Sequence, residues 1–260
     1  MPTSEFAKIY LERMFGDFRS RFAKTDPEFA SILCNFTFDE VVNAEPIEGS
    51  TPLDDKTRFL AILAALLGSQ SHDAFHLILP AALKLGVTPT EIKELVYQGV
   101  PYLGIGRVFT FLKIVNAVLE ESGVKLPLEP QGSTSPDDRV EKGNQKQIDY
   151  FGEGMREFWK NAPEGQENIN YWLAGNCFGD YYTRGGLDDR QREMITFCFL
   201  ASQGGCESQL IGHALGNMRL GASKRFLFQV VEQCLPYIGY PRSLNAISAI
   251  KQAASQLEGK

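Results

Sequence analysis

The sequence predicts an all-α protein made of two similar helical domains in tandem, and three observations carry that reading. No stretch alternates apolar and polar residues with the period of two that marks a half-buried strand. Apolar runs of helical length are bracketed by helix start and stop residues. The same punctuation is also written twice. Leu53-Asp54-Asp55-Lys56-Thr57-Arg58 returns as Leu187-Asp188-Asp189-Arg190-Gln191-Arg192, an offset of 134. Pro101-Tyr102-Leu103-Gly104 returns as Pro236-Tyr237-Ile238-Gly239, an offset of 135, as do Gly86, Gln98 and Arg107 on Gly221, Gln233 and Arg242. The added residue belongs at Gly204-Gly205, where the first copy has Gly68 alone.

In the first copy, Lys56 to Leu67 is dense in apolar helix formers and predicts a buried helix. A pause at Gly68-Ser69-Gln70-Ser71 precedes a second helix to Leu85, with Gly86 in the left-handed cap position. Thr88, Pro89 and Glu91 supply an N-cap, a first-turn proline and a capping box for the third helix. Gly104 and Gly106 are expected to break it, and Arg107 to Glu121 forms a fourth. The second copy repeats the plan from Asp189 to Gln256, with Ser223 opening its third helix. Between the copies, Gly123 to Gln145 holds Pro127, Pro130, Gly132 and Pro136 and predicts an exposed linker, laid across the other half. The expected domains are therefore 1–122 and 146–260, joined by 123–145.

Composition narrows the function. The 260 residues are room for one to two domains, and 43% hydrophobic against 22% charged is an ordinary globular balance. A net charge of −6 with no basic run beyond two residues argues against nucleic acid as partner. No apolar stretch reaches the roughly 18 residues of a membrane span. The start, Met1 to Phe6, has no basic segment followed by an apolar run, so no secretory signal is expected. Five cysteines (Cys34, Cys177, Cys198, Cys206 and Cys234) have no framework spacing, which suggests reduced thiols in the cytoplasm. His72 and His76 stand four apart, but Asp73 is the one carboxylate near them, so no metal site is expected there.

Together the motifs resemble the carboxymuconolactone decarboxylase family, part of the alkylhydroperoxidase D-like superfamily. The second copy carries the fuller set: Leu187-Asp188, Arg192-Glu193, Cys206, His213-Ala214-Leu215, Gly221 and Tyr237-Ile238-Gly239-Tyr240-Pro241. The resemblance implies two such helical domains related by a pseudo-two-fold axis. It implies a homo-oligomer too, since relatives form rings of six domains and a tandem chain would do so as a trimer. Phe109, Phe111, Phe226 and Phe228 are expected to be covered by contacts between halves or subunits.

The resemblance also marks Glu193, Cys206, Gln209 and His213 as the catalytic positions. Peroxidases of this kind are similar to Glu, then Cys-x-x-Cys, then His; here Gln209 replaces the second cysteine. The Glu193-to-Cys206 gap of 13 is one longer than usual. Decarboxylases resemble Glu-Leu-x-x-His, and Gln209 to His213 offers an amide where they have the carboxylate. In the first copy Phe59, Ser71, Ala74 and Ile78 occupy these places, leaving a scaffold half.

Positions 206, 209 and 213 share one helix face, and Glu193 could reach it from the preceding helix. Cys206 at a helix start would have its thiolate favoured. A carboxylate beside His213 would fix its tautomer and raise its basicity. Arg242 is the candidate holder of a substrate carboxylate, and Arg107 is its equivalent in the first copy. Tyr237 and Tyr240 could line the same pocket, as could the aromatic run Tyr171-Trp172, Phe178, Tyr181-Tyr182. Three functions remain open: a cofactor-independent decarboxylase or related enzyme on a small carboxylate or lactone, a thiol-dependent hydroperoxide reductase through Cys206, or a non-catalytic assembly protein. None requires a metal or an organic cofactor.

Overall fold

The computed structural model describes residues 2–16, 22–44 and 51–259, and among them every regular element is helical. The first copy contains α1 (Glu5–Phe15), α2 (Phe22–Thr25) and α3 (Pro27–Asn35), the last continuing into a π-wound turn at Phe36–Glu40. It goes on with α4 (Asp55–Gly68), α5 (His72–Lys84), α6 (Pro89–Leu103) and α7 (Ile105–Glu121). The second contains α8 (Arg139–Phe151), then α9 (Glu167–Trp172), which runs into a π-wound stretch at Leu173–Tyr182. After these come α10 (Asp189–Gln203), α11 (Glu207–Arg219) and α12 (Lys224–Glu258). Among the described residues no helix is long and apolar enough to cross a membrane.

The start signals act as their chemistry requires. Asp54 and Asp188 cap α4 and α10, each accepting at 2.8 Å from the backbone N–H three residues on. Thr88 and Glu91 form the expected reciprocal box on α6. Gly239, at φ 77°, breaks α12 into two helices, as Gly104, at φ 79°, separates α6 from α7. Gly106 does not break the chain as expected; it lies within the first turn of α7.

α8 opens inside the stretch whose composition predicted a linker. Gly143 there is a packing residue: a Cβ on it would stand 1.8 Å from Ala174 O and 2.5 Å from Gly179 N. The glycine lets α8 lie directly on the π-wound stretch. The extended residues before α8 are held by the second copy, with Gly185 N donating to Gln131 O at 2.9 Å and Ser133 Oγ to Thr183 O at 2.7 Å.

α4 and α10 are buried on nearly every face and cross at the centre of the molecule. At the crossing a Cβ on Gly68 would lie 2.8 Å from Phe199 O. One apolar cluster runs through both copies around this pair. Contacts recur in matching positions. Arg58 Nε donates to Gln233 Oε1 at 3.0 Å, and Arg192 Nη1 donates to Gln98 Oε1 at 3.0 Å, each arginine reaching into the other copy. Tyr10 OH donates to Asp55 at 3.1 Å, and Tyr150 OH donates to Asp189 at 2.8 Å.

Of the phenylalanines expected to need an assembly contact, Phe111 does not. It is a core residue, packed edge-on against Phe75 with ring centroids 5.0 Å apart. Phe109 is exposed, and Phe226 and Phe228 are half-buried.

Candidate active site

α10 and α11 form an antiparallel hairpin around the glycine pair 204–205 and bring Glu193 and His213 together. His213 Nδ1 lies 2.7 Å from Glu193 Oε1. A carboxylate can only accept, so Nδ1 carries the hydrogen and Nε2 is the acceptor. No hydrogen bond engages Nε2 among the described residues, and the imidazole keeps 11% of its surface open while Glu193 keeps none. Gly216, one turn beyond His213, makes room for the carboxylate: a Cβ there would stand 2.4 Å from Oε1. Asn217 Nδ2 donates to Glu193 O at 2.9 Å and His213 O at 2.8 Å, tying the two helices at the site.

The other carboxylate oxygen is held from behind. Tyr182 OH donates to Glu193 Oε2 at 3.2 Å and lies 2.9 Å from Thr196 Oγ1. Tyr102 OH is 2.5 Å from Tyr182 OH, and the Cys177 thiol points at Tyr102 OH at 3.9 Å. Burial raises both phenols far above their ordinary range, with Cys177 next for Tyr102 and the Glu193 charge next for Tyr182. Burial pushes the Cys177 thiol up to about 12. All three therefore stay protonated at neutral pH and serve as hydrogen-bond donors. The rings of Tyr102 and Phe151 stand edge-on to the imidazole at 5.2 and 5.4 Å.

Tyr102 belongs to the first copy, so the second copy's site is built from both. Its repeat equivalent, Tyr237, lies in the matching place of the first copy, beside Tyr10, Arg58 and Phe59. It does not join His213 as expected, because this turn is exchanged between the copies. Phe59 and Ile78, where Glu193 and His213 would be, are 2% and 3% exposed and make that half apolar.

The remaining candidates lie elsewhere. Cys206 caps α11, but burial raises its thiol against the opposing help of Gln203, and Arg242 is a weaker influence in the same direction as Gln203. Its Sγ donates to Leu200 O at 3.5 Å. The thiolate expected at this helix start is thus disfavoured by burial. Gln209 is exposed and accepts from Ser208 Oγ at 2.9 Å; it is not brought to the Glu193–His213 pair. Arg242 sits half-buried beside Gly204 and makes no ion pair among the described residues. Arg107 donates to Gln203 Oε1 at 3.1 Å. Tyr240 is 63% exposed, leaning on Phe36. His72 packs on Phe111, His76 is exposed, and no three His, Cys, Asp or Glu residues gather as a metal site among the described residues.

A model of the carboxymuconolactone decarboxylase family matches residues 27–117 and 169–252, one match in each copy and most of the chain together. The chain belongs to this family. No curated protein matches it significantly. In this carboxymuconolactone decarboxylase family member the second match holds Tyr182, Glu193 and His213, and the first contributes Tyr102. Sequence reasoning found the pair and passed over the hydroxyls behind it. Tyr182 stood at the end of the aromatic run, and Tyr102 stood in the repeated Pro-Tyr-x-Gly block.

Proposed function

We propose that this family member is a cofactor-independent acid–base enzyme that decarboxylates a small carboxylate or carboxylated lactone, with His213 moving the proton. The observation that carries the reading is the 2.7 Å contact between His213 Nδ1 and a fully buried Glu193, which leaves Nε2 without a hydrogen-bond partner among the described residues. In the reaction the bond between the lactone carbon and its carboxylate breaks and CO₂ leaves. The electron pair passes into the ring carbonyl as an enolate. His213, having taken a proton from water at Nε2, gives it to carbon, and the hydroxide left by the water leaves with CO₂ as bicarbonate. Glu193 orients the ring and stabilises the imidazolium. Tyr182 and Tyr102 hold Glu193 in place. The Cys206 thiol, raised by burial, favours this reading over a hydroperoxide reductase.

The test is decarboxylation of carboxylated butenolides by the whole chain. His213→Asn and Glu193→Gln are each expected to lower turnover by about a hundredfold or more, with the helical circular dichroism unchanged. Cys206→Ser and added chelator are expected to leave it intact. Turnover that survives His213→Asn, stops with chelator, or is found only with hydroperoxides and lost in Cys206→Ser would overturn the proposal.

A further inference from the structure

Lys93 on α6 is the one lysine buried among the described residues, at 9% exposure. It makes no ion pair there; its Nζ donates to the neutral amide of Asn116 on α7. The amine lies 5.9 Å from the centre of the Tyr97 ring, which also carries the Arg184 guanidinium at 5.4 Å. It lines a cavity of about 460 Å³ between α6, α7 and the extended connection at residues 126–131. That is room for a small organic molecule. The stem of Lys93 is buried while its ammonium faces the cavity with a neutral amide as its hydrogen-bond partner, and packing alone would be met by an apolar side chain.

We propose that Lys93 is a reactive amine that forms an imine with small aldehydes or ketones entering this cavity. The amine nitrogen attacks the carbonyl carbon and the C=O pair moves to oxygen. Proton transfer from nitrogen to oxygen gives a carbinolamine. Loss of water then leaves C=N, so one amine and one carbonyl yield one imine and one water. Glu120, which lines the cavity and is exposed, can carry the protons for that loss. The Tyr97 face would support the positive nitrogen of the protonated imine. Burial lowers the Lys93 ammonium, with the Glu120 charge opposing, so more free amine is present near neutral pH. The charged and titratable groups around it are Glu94 and Tyr97 on α6, Glu120 on α7, Glu129 on the connection, and Arg184.

The experiment treats the whole chain with pyridoxal and cyanoborohydride at pH 7 and maps the reduced adducts by peptide mass spectrometry. Exposed Lys113 and Lys125 serve as internal standards. Lys93 is expected to be labelled faster than either. Its labelling rate should reach half-maximum at lower pH than theirs. Lys93→Arg should abolish that adduct alone, with unchanged helical circular dichroism. Labelling of Lys93 at or below the rate of the two standards, or its absence, would overturn the proposal. The outcome is independent of turnover at His213.

Discussion

Gly216 turns a missing side chain into a condition for the site. It is buried on α11, and the space its Cβ would fill is taken by Glu193 Oε1. Gly216→Ala must therefore push the carboxylate off Nδ1 or open the hairpin. We expect turnover to fall by about a hundredfold, the cost of misplacing a catalytic group by about 1 Å. The stability loss should be about 1–3 kcal/mol. Kinetics and urea unfolding together check this, and near-native turnover in Gly216→Ala would mean the pair is not needed. At this scale Glu193 and His213 were legible because the repeat and the family motif set their register. Gln209 was not. It shares a face with His213, but among the described residues nothing covers the first turn of α11, where Glu207, Ser208 and Gln209 are all exposed. Helix periodicity reports a direction and not a cover.

The helices themselves were legible where local chemistry decides them. The α6 start is an example: Thr88 N–H and hydroxyl both reach Glu91 Oε2 at 2.8 Å, and Lys56 Nζ pairs with its other oxygen at 2.7 Å. Burial alone would raise the Glu91 carboxyl, yet the hydrogen bonds from Lys56 and Thr88 hold it below its ordinary value of 4.5. A lowered carboxyl adds stability above its unfolded value, and that stability is lost as pH falls through the folded value. Stability measured by urea unfolding should therefore drop as pH falls below about 4.5, the ordinary value for glutamate. Glu91→Gln should flatten that drop and cost about 1 kcal/mol at neutral pH. An unchanged acid profile in Glu91→Gln would assign the drop to other carboxylates. What local chemistry could not give was α8. Its glycine and the prolines before it suggest a linker, and only the close approach of Ala174 and Gly179 explains why a helix needs Gly143.

For the whole molecule, the repeat that encodes the fold also points to how chains meet. Ile105 and Phe109, at the start of α7, are 56% and 52% exposed; at an offset of 135, Tyr240 and Leu244 are 63% and 66% exposed. The same two positions are thus left uncovered in both copies, one helical turn apart, while Phe111 two residues on is fully buried. Scattered exposed apolar residues are ordinary, but recurrence at matched positions of two diverged copies is a pattern a contact surface would leave. We propose that these patches meet between chains, in the trimer of tandem chains that would make a ring of six similar units. A contact of this kind is heterologous, first copy to second, and closes with three chains when the rotation from one chain to the next is about 120°. Light scattering on the purified chain should then give the mass of three chains. Phe109→Glu and Leu244→Glu, each placing a charge in the patch, should release single chains that keep their helical circular dichroism. A single-chain mass for the unaltered protein would refute the ring, and a trimer indifferent to both substitutions would move its contacts to another face.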